Sequence, residues 1–104
     1  MKVEGNKYYQ TSLSQVKEIV LDAFKDEDVK VILFGSAARG DAHRFSDIDI
    51  AILPKTKYNK TKVILLKEEI ENLNIPYSVD LVDISKVSSA FREKVLREGE
   101  IWKN

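Results

Sequence analysis

The sequence predicts a small α/β domain: one mixed β-sheet with its second strand central and helices packed on one face. Three observations point there. Apolar residues at helical spacing alternate along the chain with short β-branched runs, Gly35, Pro54, Pro76 and Gly99 punctuate the joins, and 104 residues suffice for one core but not for two.

Residues 1–10 lack apolar periodicity and read as a flexible N-terminal arm, which Tyr8 and Tyr9 could tack onto the domain or a partner. The domain proper is then 11–104. Ser12 with Gln15 makes a capping box, and Leu13, Val16, Ile19, Val20, Ala23 and Phe24 share a face, so a helix is expected from Ser12 to about Asp26. Val29 to Phe34 is apolar except for Lys30, the pattern of an interior strand. Ser36 to Asp41 suits a short helical turn, and His43 to Ser46 a loop. A second strand, Asp47 to Leu53, stops at Pro54, and a helix follows near Lys60 to Asn72 with Val63, Leu66 and Ile70 on one side. Tyr77 to Val82 alternates as a third strand, which puts Asp80 on its less apolar face. Ser85 or Ser88 caps a last helix that Gly99 ends, and Ile101-Trp102 forms a short edge strand or a packed tail.

Seventeen basic and seventeen acidic residues cancel, and no lysine- or arginine-dense face emerges, so a nucleic-acid groove is not indicated. A small nucleotide or a protein is the expected ligand. With no cysteine there is no disulfide framework or thiolate metal site, and apolar runs such as Val31 to Phe34 are far below a membrane span. A polar start without a cleavable signal suits a cytoplasmic protein.

Chemistry concentrates between residues 35 and 80. Gly35-Ser36 after a strand is a turn whose bare N–H groups and hydroxyl can hold phosphate. Asp47 and Asp49 would project from one face of their strand, roughly 7 Å apart, repelling each other by about 2 kcal/mol at an effective dielectric near 20. A cation between them would remove that penalty, and hard carboxylate oxygens suit magnesium or manganese. Asp80, flanked by Val79 and Leu81, could complete a two-metal site or accept a proton from an attacking hydroxyl. Each part alone is commonplace, since Gly-Ser is usually a plain turn and Asp-x-Asp usually solvated surface. It is their order and apolar flanks that single them out.

Ile32-Leu33-Phe34-Gly35-Ser36-Ala37-Ala38-Arg39-Gly40, followed by Ser46-Asp47-Ile48-Asp49-Ile50-Ala51-Ile52-Leu53, resembles the signature of the minimal nucleotidyltransferases of the DNA polymerase beta superfamily. The resemblance covers the chain from the first helix to the last, and implies that superfamily's catalytic-core fold. It implies that Gly35 and Ser36 bind the phosphates of ATP, that Asp47 and Asp49 hold the metals, and that Asp80 is metal ligand or general base. Arg39 fits a phosphate contact or a brace for the loop. Many such minimal proteins are encoded beside a helical HEPN protein, acting as its antitoxin and in some cases transferring AMP from ATP onto its tyrosine. A magnesium-dependent transferase with a HEPN-domain partner is therefore the leading expectation. A non-catalytic module that neutralises the partner by occlusion, and transfer to a small molecule or RNA end, are the alternatives. His43 reads more simply as solvated loop than as a ligand contact, and Tyr58 and Trp102 as partner surface or as packing.

Overall fold

A computed structural model of the chain describes residues 2–35 and 47–104, with side chains from Tyr9 onward. Helix α1 (Lys2–Ala23) is followed by strands β1 (Val29–Phe34) and β2 (Ile48–Pro54), helix α2 (Lys60–Glu71), strand β3 (Val79–Asp83), a 3-10 turn (Ile84–Lys86), helix α3 (Ser89–Glu98) and strand β4 (Glu100–Lys103).

Val16, Val20 and Phe24 recur four residues apart and are wholly buried, and Tyr9 and Ser12 extend the same stripe toward the N-terminus. Helix α1 begins at Lys2 and so runs through residues 2–10, where the sequence reading expects an arm. Ser12 is no cap. It lies on the buried face of a helix already under way, and Tyr9, four residues before Leu13 and seven before Val16, belongs to the apolar stripe.

The sheet runs in the order β3-β2-β1-β4. β1 is antiparallel to β2 and β4, whereas β2 and β3 are parallel. A parallel step requires a crossover, which α2 supplies. The Asn59 side chain caps α2 by accepting from the Thr61 N–H at 3.0 Å, and beyond its end Asn74 adopts a φ of 56° just ahead of Pro76. Ser88 caps α3 through the Phe91 N–H.

Alternation along the strands makes two cores. Val29, Val31 and Leu33 of β1 and Ile48, Ile50 and Ile52 of β2 pack with Val16 and Val20 of α1, Phe24 just beyond it, and Leu66 and Ile70 of α2. Ile32 and Ala51 face the other way, beneath Ile84 and Val95. Each such buried aliphatic side chain contributes about 1.5–3 kcal/mol. The two longer helices share one face as expected. α3 is the exception: it packs on the face that carries the acids, because Ile32, Phe34 and Ala51 present apolar surface there that needs cover. Gly99 permits the return into β4, since a Cβ there would run into the Ile32 side chain and lie 2.6 Å from the Val95 carbonyl oxygen.

Candidate active site

Asp49 is the middle member of a row across three strands: its register partner on β1 is Phe34, and on β3 it is Asp80. Neighbouring strands lie about 4.8 Å apart, and directly opposed residues share a face, so the carboxylates of Asp49 and Asp80 stand side by side. Asp47 lies two residues before Asp49, at the entrance to β2. The row sits on the face of Ala51 and Val82, at the end of the sheet opposite Asp83.

The turn after β1 closes against this row. Gly35 has a φ of 75°, a conformation that residues with side chains rarely adopt. A Cβ at this position would be 2.5 Å from Oδ2 of Asp49. The glycine is therefore required twice, for its backbone and for the space that the carboxylate fills.

Burial first, then the charges of Asp80 and Asp47, push the Asp49 carboxyl above the usual aspartate range. The charges of Asp80 and Asp47 thus both bear on Asp49. Among the described residues, no three acids or histidines form a ready-made metal cage. Magnesium does not need one, because it is held by one or two carboxylates and completes its shell with water and substrate phosphate oxygens. An all-oxygen donor set whose central member resists ionisation fits a divalent cation.

A cavity of about 190 Å³ adjoins Gly35, bounded by Phe34, Phe91, Lys94, Val95 and Glu98. Phe34 and Phe91 form its aromatic wall, edge to face with centroids 5.9 Å apart. The structure therefore brings Gly35, Asp47, Asp49 and Asp80 together. Ser36, Arg39 and His43, and the helical turn expected over Ser36–Asp41, lie outside the described residues.

Tyr9 is the neighbour that sequence reasoning missed. It is 5% exposed, packs edge to face on Tyr77 with centroids 5.0 Å apart, and its hydroxyl has no hydrogen-bond partner among the described residues. Burial, then Tyr77, Asp49 and Asp47, raise its ionisation above the ordinary tyrosine value. The signal was available in the spacing of Tyr9 to Leu13 and Val16.

A four-stranded mixed sheet with opposed carboxylates on its two parallel strands, and helices on both faces, is a nucleotidyltransferase fold of the polymerase beta kind. Residues 15–103 match the family model described as polymerase beta, nucleotidyltransferase, and the chain belongs to that family. A Haemophilus influenzae protein named "Probable protein adenylyltransferase MntA" is 36% identical over 66 residues, which cover 64% of this chain and 58% of that protein. The chain thus spans little more than half the length of that relative. A solved structure described as a minimal nucleotidyltransferase superposes with a TM-score of 0.68 at 31% identity, covering 86% of this chain and 92% of the other. A toxin-antitoxin crystal structure with AMP-PNP gives a TM-score of 0.64 at 27% identity, covering 83% and 71%. Among the described residues no helix is long and apolar enough to cross a membrane.

Proposed function

We propose that this chain is a divalent-cation-dependent nucleotidyltransferase that moves AMP from ATP onto a hydroxyl of a partner protein, as the antitoxin of a HEPN-domain toxin in the cytoplasm. The observation that carries the reading is the placement of Asp49: registered with Asp80, near Asp47, and closed against Gly35. The adenylyltransferase name of the Haemophilus influenzae relative and the AMP-PNP in the toxin-antitoxin structure support adenylate as the group and a protein as the acceptor.

In this reading Asp47 and Asp49 hold magnesium or manganese, and Gly35, Ser36 and Arg39 hold the phosphates. When bound, the ions neutralise the triphosphate and make the acceptor oxygen more acidic. Asp80 stands on the neighbouring strand as the third ligand or as the base. The acceptor oxygen forms a bond to the α-phosphorus as the bond to pyrophosphate breaks, and the hydroxyl proton passes to Asp80 or to water. The chain need supply no nucleophile, in keeping with its lack of cysteine.

The test is incubation with labelled ATP, magnesium and the neighbouring gene product, comparing wild type with Asp47→Ala/Asp49→Ala. Label on the partner is expected to fall at least about 1000-fold in the double variant, as removal of metal-held charge stabilisation demands. Equal labelling would reject catalysis by these acids. Occlusion is the second reading, favoured by the apolar Ile64 and Leu65, which are 61% and 58% exposed on α2 and offer a surface to a partner. It would gain if the double variant still neutralised the toxin in cells.

A further inference from the structure

The edge of β3 that faces away from β2 runs directly past Asp80. Among the described residues β3 pairs only with β2. The Ile48 N–H donates to the Ser78 carbonyl at 2.8 Å, and Ile48 is registered with Val79. In a parallel ladder that pattern turns the backbone groups of Ser78, Asp80 and Val82 toward β2, and those of Val79 and Leu81 outward. Their N–H and C=O groups form a short template for another strand.

Beside this edge lies a cavity of about 480 Å³, between α2 and β3, with buried Ile70 and half-buried Ile75, Tyr77 and Leu81 in its lining and exposed Lys67 and Glu71 on its α2 side. Asp80 also borders it. The side chains of Val79 and Leu81 belong to the α1 and α2 side of the sheet, so Asp80 points to the opposite side. A strand laid along the edge would alternate in the same way. Its residue beside Asp80, if pointing to the acid side, would have its two sequence neighbours pointing toward the cavity.

We infer that the acceptor is an extended segment of the partner protein that adds to β3 as a fifth strand, presenting its hydroxyl residue over Asp80 and the flanking residues to the cavity. This rests on the transferase reading above. Two features define the segment. The added backbone would lie roughly 10 Å from Asp49, two strand spacings away, a gap suited to a long acceptor side chain such as the tyrosine that the family resemblance implies. Glu71 and Asp80 outnumber Lys67 in the cavity lining beside this edge, so a basic residue beside the apolar ones complements it. The tyrosine oxygen bonds to the α-phosphorus, the bond to pyrophosphate breaks, and the phenol proton passes to Asp80.

Two variants test the edge and leave the phosphate turn and the acids intact. Leu81→Pro removes an N–H that points away from β2, and Ile75→Arg crowds the cavity. Magnesium-ATP binding, measured by calorimetry, is expected to stay within two-fold of wild type. AMP transfer to the partner is expected to fall at least ten-fold, through KM and not kcat. Unchanged transfer in both variants overturns strand addition while leaving nucleotidyl transfer intact; failure of the wild type to bind magnesium-ATP overturns both. Should Leu81→Pro fail to fold, hydrogen exchange on the wild type decides. The amides of Val79 and Leu81 are expected to slow at least ten-fold when the partner is added, and unprotected amides during active transfer would refute the proposal.

Discussion

Asp83 and Asp80 occupy the two ends of one five-residue strand, and the fold treats the two ends in opposite ways. Asp83 accepts from the Ser85 N–H at 2.9 Å, the Ser85 hydroxyl at 2.6 Å and the Tyr58 hydroxyl at 3.1 Å. Burial pushes its carboxyl up, but these bonds, with Lys86 nearby, outweigh it and hold the group below the usual range. At the other end Asp80 faces Asp49 across the parallel pair, Asp47 is close, and the central carboxyl is pushed up. A carboxylate in a sheet can therefore be satisfied here by three donors of the same chain. Where the same sheet crowds acids instead, the proposed function supplies their counter-charge as a divalent cation from outside the chain.

Breaking the crowded end at its tightest contact should have the largest effect. Gly35→Ala places a methyl group 2.5 Å from Asp49 Oδ2 and forces a side chain onto a φ of 75°. Unfolding free energy should fall by about 2 kcal/mol, and AMP transfer roughly 100-fold, since a displacement near 1 Å costs about that much. Denaturant titration and the labelling assay read the two. Transfer within three-fold of wild type would detach the turn from the chemistry.

Breaking the satisfied end should cost stability alone. Asp83→Ala removes the acceptor for Ser85 and Tyr58 and uncaps the 3-10 turn, for a loss of about 1–2 kcal/mol in denaturant titration. Transfer per folded molecule should be unchanged. A selective loss of activity would mean that the two ends are coupled.

The smallest effect sharpens the contrast by its sign. Asp83 has a lowered folded value, so its stabilisation is fully present above the ordinary aspartate value near 3.9 and is lost as pH falls through the lower one. Asp49 has a raised value, so stability falls as pH rises from about 3.9 through that raised value. Without metal, Asp49→Asn should melt about 2–4 °C above wild type at pH 7, an advantage that shrinks as the pH is lowered toward 4. Asp83→Asn should show a deficit at pH 7 that likewise shrinks, but only at lower pH.

Much of this was legible in the sequence because it depends on short-range rules. Asp47, Ile48, Asp49 and Ile50 alternate across one strand, Asn74-Ile75-Pro76 breaks α2, and Ser88 and Gly99 bound α3. Asp80 is legible as a candidate from its apolar flanks and from the family resemblance, but its registration with Asp49 depends on β2 and β3 being parallel and in register, which no local pattern specifies. Two misreadings had available cues. A β1 that is apolar at nearly every position requires cover on both faces, which foretold that α3 would leave the other helices. Tyr9 reads from the sequence only as a residue that could tack an arm onto the domain or a partner, because residues 1–10 as a whole lack apolar periodicity, although its own spacing to Val16 is helical. Asp83 was overlooked as a satisfied acid because Tyr58, its donor, is 25 residues away.

The central claim is that the acids at 47, 49 and 80 crowd one another until a cation and its nucleotide arrive. Thermal melting of wild type and Asp49→Asn, each with and without magnesium-ATP, tests it most directly. Nucleotide at a hundred times its dissociation constant should add about 2.7 kcal/mol to the wild type, a rise of roughly 10–20 °C. The asparagine variant should start higher and gain almost nothing. Equal gains in the two proteins, or a variant that begins lower, would contradict the account.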